Sequence, residues 1–480
     1  IYIYGAGEAG LSTLNSLKNS IKSSNSYTSI FSFIDDDHNK QETFLDGFEI
    51  LSIEKFKQNS KKKENKEVIL SSEFISTNKK SQLLDFCNKH RITVKKVPLY
   101  EEWVTETEFD VKKIKQLQIS DLLDREEITI DNSLIKENIL NKTLLITGGA
   151  GSIGSQIVKA ITKYNPKKII VIDISETALH NLEMYIIDHK LFDIKKIFFR
   201  TIDIKDKIQL RHVFKKYNPE IIFHAAAFKH VPMMERNPLS AISSNIFGTH
   251  NLLELTAEFK TRKFVFISTD KAVNPTNIMG ATKRYSENMV QYFNKQNNTT
   301  TYITTRFGNV LGSNGSVIPR FQYLIDNGFD LQVTHPDIVR YFMTIEESCN
   351  LVLEASSMGN NGEIFVFDMG KPCKISHLAK SMIKLNGLEP GIDVKIHYTG
   401  LREGEKLHEE LLANSENTQG TYHPKILIAK PENNDNELFV TNLVILEKYI
   451  KNHQIDDAVK LLKKCIPEYK SQNSIFNMLD

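Results

Sequence analysis

Cysteine is scarce in this sequence, and the few that occur are scattered. Four cysteines stand far apart in 480 residues, with no Cys-x-x-Cys pair and no clustered histidines: Cys87, Cys349, Cys373 and Cys465. This excludes a disulfide framework and a zinc site, so no metal is predicted, and a reducing cytosol fits. The sequence also lacks a signal peptide and any run of about 20 apolar residues, which a membrane-spanning helix needs.

An excess of charge of one sign is lacking too. The 61 basic and 59 acidic residues leave a net charge of only +2, so no overall field attracts nucleic acid or an anionic membrane, and phosphate binding must be local. Apolar residues make up 40% and charged residues 25%, as in ordinary globular proteins. A chain of this length is long enough for two or three domains.

Two stretches begin alike, with a short apolar strand, a glycine-rich turn and a helix-like segment. The first is Ile1 to Tyr4 followed by Gly5-Ala6-Gly7-Glu8-Ala9-Gly10, and the second is Leu144 to Ile146 followed by Thr147-Gly148-Gly149-Ala150-Gly151-Ser152-Ile153-Gly154. Such turns allow close approach of the backbone to a pyrophosphate at a helix N-terminus. The repetition indicates two dinucleotide-binding (Rossmann-like) units.

Strand and helix patterns alternate from residue 143 onward, which is typical of a doubly wound α/β domain with a parallel sheet. We therefore predict an α/β fold in five parts. They are a small Rossmann-like domain at 1–98, a connector at 99–142, an NAD-binding catalytic domain at 143–311, a smaller substrate-binding subdomain at 312–430 and a helical tail at 431–480.

The second glycine turn has the surroundings of a cofactor site. Asp173 follows about 20 residues later at the end of the next strand, where its carboxylate would bind a ribose 2′-hydroxyl and repel a 2′-phosphate, so NAD is favoured over NADP. The predicted cofactor-binding residues are Gly148, Gly151, Ser152, Ile153, Gly154, Asp173, Ser175, Asp203, Ile204, Ala225, Ala226, Ala227, Lys229 and Lys283. The first turn is followed by Asp35 to Asp37 but by no candidate acid or base. We interpret that domain as regulatory, vestigial or structural, with ligand binding as the alternative.

Candidate catalytic residues follow the fifth strand of the second unit. Thr269, Asp270 and Lys271 lie at its carboxyl end, where open α/β sheets bind their ligands. Met279 and Lys283 open the next helix and, being four residues apart, share one face of it.

Several motifs resemble those of bacterial UDP-N-acetylglucosamine 4,6-dehydratases and related polysaccharide-biosynthesis proteins, within the extended short-chain dehydrogenase/reductase superfamily. Besides the second glycine turn, they are His224 to Pro232, Ser268 to Ala272, Met279 to Lys283, Arg306 to Ser313 and Arg402 to Lys406. The preceding Rossmann-like domain is similar to the long, membrane-anchored form of that family. The chain starts inside a strand-like run at Ile1, as an excised fragment would, and the transmembrane helices of the long form would account for that start.

The resemblance implies an intramolecular redox reaction. A hydride leaves sugar carbon 4 for NAD, water is eliminated across carbons 5 and 6, and the hydride returns to carbon 6. It implies Lys271 as the base at carbon 5, Asp270 as the acid for the carbon 6 hydroxyl, Thr269 as a hydrogen-bond partner of the carbon 4 oxygen, and Lys283 as the group that orients the nicotinamide ribose. Met279 occupies the place of the usual tyrosine base and has no titratable proton. Long-form dehydratases are similar in this, which favours retention of configuration at carbon 5.

Substrate contacts are expected from cationic and polar groups that can bind a diphosphate or sugar. They are Lys229, His230, Asn309, Val317, Arg320, Arg340, Arg402 and Glu405, and His335 is a further candidate. The expected partner is UDP-N-acetylglucosamine, not nucleic acid, and the expected protein is a homo-oligomer at the cytoplasmic face of the bacterial inner membrane.

Two other functions are compatible with the sequence. A UDP-N-acetylhexosamine 4-epimerase also uses NAD transiently but needs no acid at carbon 6. A non-catalytic NAD-sensing or scaffold protein would explain both Met279 and the second nucleotide fold. Loss of water in the product, an unchanged product mass, or tight NAD binding without turnover would distinguish the three.

Overall fold

The computed structural model describes residues 1–24, 29–60, 66–71, 75–90, 92–97, 111, 114–117, 119–122, 128, 130–296, 299–410, 417–430 and 437–480. These residues form two units. Unit 1 comprises Ile1–Glu126, Phe321–Val333 and Ser376–His397, and unit 2 comprises Glu127–Arg320, Thr334–Ile375 and Tyr398–Asp480. About half of the predicted connector, 99–142, lies outside the described residues.

The strands, in chain order, are β1 Tyr2–Tyr4, β2 Ser32–Ile34, β3 Phe44–Leu45, β4 Phe48–Leu51, β5 Glu67–Leu70, β6 Thr93–Lys96, β7 Lys115–Gln116, β8 Thr143–Thr147, β9 Lys168–Asp173, β10 Ile197–Thr201, β11 Ile221–His224, β12 Lys263–Ile267, β13 Thr301–Arg306, β14 Asn309–Val310, β15 Leu331–Val333, β16 Val339–Arg340, β17 Phe342–Met343, β18 Ile364–Phe367, β19 Cys373–Lys374, β20 Ile396–Tyr398, β21 Asn417–Gly420 and β22 Ile426–Lys430. The α-helices are α1 Glu8–Ser24, α2 Ile53–Ser60, α3 Thr77–Lys89, α4 Asn132–Ile139, α5 Ser152–Ile161, α6 Glu176–Asp188, α7 Lys207–Tyr217, α8 Val231–Arg236, α9 Pro238–Ala241, α10 Gly248–Glu258, α11 Ile278–Gln296, α12 Val317–Asp326, α13 Ile345–Met358, α14 Ile375–Leu385, α15 Glu437–Thr441, α16 Leu443–Lys451 and α17 Ile455–Cys465. Within the described ranges, no helix is both long and apolar enough to span a bilayer.

Unit 1 is built on a seven-stranded sheet in the order β3-β4-β2-β1-β5-β6-β7. The five inner strands are parallel, and β3 and β7 run antiparallel at the two edges. The apolar run Tyr2 to Tyr4 is buried because β1 lies at the centre of this sheet. The inner order is that of a dinucleotide-binding half, as predicted for 1–98.

Unit 2 is built on a nine-stranded sheet in the order β10-β9-β8-β11-β12-β13-β18-β22-β21. The first seven strands in this order, up to β18, are parallel. The next strand, β22, pairs antiparallel with β18 on one side and with β21 on the other. The first six follow the 3-2-1-4-5-6 order of a doubly wound nucleotide-binding fold, which confirms the predicted fold class. The apolar runs at 144–146, 168–172, 196–199, 221–223, 264–267 and 302–305, each typical of a strand, all contribute strands to this sheet, which continues beyond Arg306 through β18.

Helices cover both faces of this sheet, and its strands alternate between two apolar cores. On β8, Leu145 packs into one core while Leu144 and Ile146 pack into the other. The C-terminal helices α15 to α17 bury Phe439, Leu446 and other apolar side chains in the first core, against α11.

A buried ion cluster joins β13 to α11, the helix that carries Met279 and Lys283. Arg306 donates to both carboxylate oxygens of Glu287, at 2.8 and 2.7 Å, and Arg284 donates to Glu287 at 3.2 Å. Burial alone would raise the pKa of Glu287, but the two arginines outweigh it and lower this pKa to about 2. Because the buried charge of Glu287 is balanced by Arg306 from β13 and by Arg284 from α11, the cluster fixes the position of this helix relative to the end of the sheet.

Candidate active site

The second glycine turn is shaped by close backbone packing. Gly148 has φ of +61°, and a Cβ there would lie 2.6 Å from the backbone of Ala226. A Cβ on Gly154 would lie 2.2 Å from the Gly148 carbonyl oxygen, whereas one on Gly151 would meet only that oxygen, at 3.2 Å. Gly148 and Gly154 are therefore required by packing, and Gly151 leaves space beside the N-terminus of α5.

Asp173 closes the same turn from the end of β9. Its carboxylate accepts hydrogen bonds from the backbone N–H groups of Ala150 at 3.1 Å and Ser175 at 3.0 Å. Ser175 in turn caps α6. After β10, Asp203 pairs with Lys205, and Ile204 is buried where a Cβ on Gly248 would collide with it.

At the end of β11, small residues follow a buried histidine. His224 lies between the hydroxyls of Thr147 at 2.7 Å and Thr249 at 2.9 Å, and burial, with Lys283 nearby, lowers the pKa of this histidine well below its usual value. It is therefore a neutral link between β11 and the start of α10. The three alanines after it, 225–227, are only half-buried, which leaves their backbone accessible beside the glycine turn.

The three predicted residues after β12 form one hydrogen-bonded turn. Thr269 caps it and donates from its hydroxyl to Asp270 Oδ1 at 2.8 Å, and Lys271 Nζ donates to the same oxygen at 3.0 Å. Asp270 is 1% exposed, and its Oδ2 has no hydrogen-bond partner among the described residues. Lys271 Nζ also donates to Asn309 Oδ1 at 3.3 Å, so Asn309 lies against the pair.

A carboxylate that the sequence reasoning missed completes the surroundings of Lys271. Glu409 Oε1 lies 3.4 Å from Lys271 Nζ and 3.6 Å from Nε of Arg340. Burial lowers the pKa of Lys271, but attraction to Asp270 and Glu409 outweighs this, and the pKa is raised. A signal for Glu409 was present, because it stands three residues after the Arg402 to Lys406 motif.

Met279 and Lys283 lie on the first turns of α11, beside the turn formed by Thr269, Asp270 and Lys271. A Cβ on Gly280, between them, would lie 2.1 Å from the carbonyl oxygen of Lys271, so the helix packs directly on that turn. Lys283 Nζ donates to the carbonyl oxygen of Ile267 at 2.8 Å and lies 3.9 Å from the centre of the Phe266 ring. Burial lowers the pKa of Lys283 to about 7, against the attraction of Glu287.

The predicted diphosphate ligands divide into two groups. Lys229 and His230 are both exposed in part. Partial burial of the His230 imidazole, with the cations Lys229 and Arg402 nearby, lowers the pKa of this histidine. Arg402 also pairs with Glu405 at 3.2 Å. The structure therefore brings Lys229, His230, Arg402 and Glu405 together.

The second group comprises Val317, Arg320, His335 and Arg340. Arg320 is exposed and Val317 half-buried on α12, and His335 accepts a hydrogen bond from the backbone of Asp337. Arg340 is 8% exposed and is surrounded by protein acceptors. Within the described ranges, no cluster of three or more metal-ligating side chains occurs.

Comparison with known proteins gives a family match and a relative that is similar over most of this chain. Residues 144–431 match the profile of the family described as "Polysaccharide biosynthesis protein". The capsular polysaccharide biosynthesis protein CapD of Staphylococcus aureus is 39% identical over 436 residues, which are 90% of this chain and 71% of that protein.

Shorter relatives carry two different enzyme names. The inverting UDP-N-acetylglucosamine 4,6-dehydratase of Campylobacter jejuni is 36% identical over 285 residues, 58% of this chain and 80% of that protein. The UDP-glucose 4-epimerase of Rickettsia canadensis is 34% identical over 285 residues, 58% of this chain and 79% of that protein. Among solved structures, Pen from Bacillus thuringiensis is 32% identical, with a TM-score of 0.56 over 62% of this chain and 88% of that one.

Proposed function

Since the chain belongs to the polysaccharide biosynthesis protein family, within the nucleotide-sugar dehydratases and epimerases, we propose that it dehydrates UDP-N-acetylglucosamine at carbons 4 and 6 with NAD as its bound cofactor. The product would be a UDP-4-keto-6-deoxy-N-acetylhexosamine. The observation that carries this is the Asp270–Lys271 pair at the carboxyl end of β12, in which the Asp270 carboxylate is buried, because an epimerase needs no such acid and base.

The residues around the second glycine turn fit NAD. Gly151 leaves space beside the free N–H groups of α5, Asp173 stands where a ribose would lie, and Lys283 is buried beside the catalytic turn. Bound NAD would supply the oxidation at carbon 4 and the later reduction at carbon 6. The chain would hold it through the helix N-terminus, the half-buried alanines and Lys283.

Asp270 and Lys271 supply the proton transfers of the elimination. In the present arrangement Lys271 carries a proton, because its pKa is raised. One proton shift along the 3.0 Å hydrogen bond from Nζ to Asp270 Oδ1 converts the ion pair into an amine and a carboxylic acid. A bound sugar excludes water and so favours this neutral pair, which is the base for carbon 5 and the acid for the carbon 6 hydroxyl.

Neighbouring residues take supporting roles in this proposal. Thr269, at the same turn, would bind the carbon 4 oxygen, and the cations Lys229 and Arg402, together with the imidazole of His230, would bind the diphosphate. With Met279 we propose retention at carbon 5, although the Campylobacter relative is named as inverting. From the family resemblance alone we also propose a homo-oligomer at the cytoplasmic face of the inner membrane.

The test is the product formed from UDP-N-acetylglucosamine, followed by mass spectrometry and by proton NMR in deuterium oxide. We expect loss of one water and incorporation of deuterium at carbon 5, with turnover reduced roughly 100-fold or more in Asp270→Asn and in Lys271→Met. Lys374→Met is the matched control, since Lys374 pairs with Asp337 on the surface. Near wild-type turnover in either active-site variant would exclude these roles.

A 4-epimerase is the second candidate, favoured by the 34% identity to the Rickettsia protein. It would change the configuration at carbon 4 without loss of mass. Tight NAD binding with no change in any UDP-sugar would instead indicate a binding protein.

A further inference from the structure

Glu409 is a buried carboxylate that none of the predicted roles uses. Its side chain is 4% exposed, and its Oε1 is shared between Lys271 Nζ at 3.4 Å and Arg340 Nε at 3.6 Å. Its Oε2 is buried without a hydrogen-bond partner in the described part of the chain. A buried carboxylate at the edge of a catalytic pair costs free energy unless it interacts with a charge there.

Arg340 is held so firmly that it can fix Glu409 in place. Its guanidinium donates to the carbonyl oxygens of Val339 at 2.8 Å, Lys406 at 2.8 Å and Leu407 at 3.3 Å. The Nη2 that donates to Lys406 also contacts Glu405 at 3.4 Å. With its donors directed at the protein, Arg340 anchors the segment that carries Glu409 instead of presenting a free fork to a phosphate.

We propose that Glu409 is a positioning residue for Lys271. Its carboxylate holds the lysine Nζ beside Asp270 and stabilises the positive charge that Lys271 gains during the elimination, while Arg340 keeps the carboxylate in place. This inference rests on the proposed dehydration and adds a residue to its mechanism.

The charges balance in that step. Lys271, as an amine, takes the carbon 5 proton, and the electron pair of the C5–H bond forms the C5=C6 double bond. The C6–O bond breaks, and the proton of the Asp270 carboxylic acid leaves with the hydroxyl as water. Lys271 ends as an ammonium between the carboxylates of Asp270 and Glu409, with Arg340 as the opposing cation.

The test is Glu409→Gln, with Lys271 titrated directly. Competitive labelling with acetic anhydride, read on the Lys271 peptide by mass spectrometry, reports the pH at which this amine loses its proton and needs no substrate. Removing the negative charge should move that pH downward. In turnover, kcat should fall roughly tenfold or more with KM little changed, and the acid limb of the kcat profile should move in the same direction.

Two further variants separate positioning from simple loosening of the segment. Glu409→Asp keeps the charge and should recover part of kcat and of the labelling pH. Glu410→Gln removes the neighbouring carboxylate, which anchors the same segment through Lys406 and Asn274 without contacting Lys271, and should leave the labelling pH unchanged.

An unshifted labelling pH in Glu409→Gln overturns the proposal, as does an equal shift in Glu410→Gln. A wild-type protein that binds UDP-sugars but never dehydrates them would overturn the proposed function instead. The labelling result distinguishes these failures, because it is obtained without turnover.

Discussion

Two lysines of the candidate site are buried in opposite electrostatic surroundings. Lys271 has the carboxylates of Asp270 and Glu409 within 3.4 Å, and its pKa is raised above the usual 10.5. Lys283 has a backbone carbonyl and an aromatic ring as its nearest partners, and burial lowers its pKa to about 7. The two side chains should therefore contribute to stability with opposite sign.

Lys283→Met should make the protein more stable and inactive. Between pH 7 and 10.5 the unfolded chain holds a proton on Lys283 that the folded protein releases, so wild-type stability rises with pH across that window. In the variant, the free energy of unfolding should not rise with pH across this window. At pH 7 it should exceed that of the wild type by on the order of 2 kcal/mol, allowing for the hydrogen bond that methionine cannot make. Urea unfolding followed by circular dichroism at pH 7 and 9 measures both effects. A variant less stable than wild type at pH 7 would contradict the assignment.

Lys271→Met should do the reverse. Its contribution to stability is fully present below pH 10.5 and is lost only as the pH rises through the raised folded-state pKa. Removing it leaves Asp270 and Glu409 buried without their cation, which should cost roughly 3 kcal/mol at pH 7. The same urea titration tests this, with the exposed Lys374→Met as control. A loss no larger than the control's would show that the ion pair is not formed in solution.

The site residues that could be predicted from the sequence are those whose positions follow from a regular strand or helix. Thr269, Asp270 and Lys271 were predictable because they end a buried strand, and Lys283 because it lies one helical turn after Met279. Glu409 and the anchoring of Arg340 were not, since the segment around them has no periodic pattern and meets the catalytic turn only through folding. Arg340 was predicted as a phosphate ligand from its side-chain type alone.

The glycine turns are the element that the two units share. In unit 1, Asp35 accepts hydrogen bonds from the N–H groups of Ala6 at 2.7 Å and Asp37 at 2.9 Å, as Asp173 does from Ala150 and Ser175. A Cβ on Gly10 would lie 2.0 Å from the Gly5 carbonyl oxygen, as one on Gly154 would approach Gly148. Both units therefore begin with a hydrogen-bonded turn of the same kind, and the glycines alone do not show which unit binds a ligand.

Alanine at two glycines of the second turn should separate packing from ligand binding. Gly154→Ala forces a Cβ to within 2.2 Å of backbone, and should lower stability by about 1–3 kcal/mol or more. Gly151→Ala meets backbone only at 3.2 Å, so the fold should persist while NAD affinity falls. Thermal melting and calorimetric titration with NAD measure the two effects. Equal NAD affinity in Gly151→Ala and wild type would place the cofactor elsewhere.

The central strands of both sheets were predictable as elements because each is an apolar run between helical patterns. The strands β18, β22 and β21 were not, since the sequence beyond Arg306 is rich in glycine, proline and histidine and gives no regular alternation. The pairing of β18 with β13 and of β22 with β18 depends on contacts between residues distant in the chain, which local patterns do not encode.

Over the whole molecule, unit 1 is assembled from separate parts of the chain. Phe321–Val333 and Ser376–His397 belong with Ile1–Glu126. Lys384, on α14, accepts a hydrogen bond at its carbonyl oxygen from the side chain of Asn88 and pairs with Asp85, and Leu385 packs against the apolar core of the N-terminal sheet. The N-terminal 126 residues are thus structurally tied to segments inserted in the sequence of unit 2.

A fragment of residues 127–480 should therefore be less stable than the whole chain. Without residues 1–126, α14 loses the apolar core against which its Leu385 packs, and this end of the helix becomes more accessible. We expect a lower melting temperature and stronger binding of an apolar dye. In the whole chain, Leu385→Asp should cause a smaller effect of the same kind and Lys384→Met almost none, because the Lys384–Asp85 pair is partly exposed and such pairs contribute little to stability. If the fragment melts like the whole chain and binds no more dye, α14 is stable without the N-terminal sheet, and the two parts fold independently.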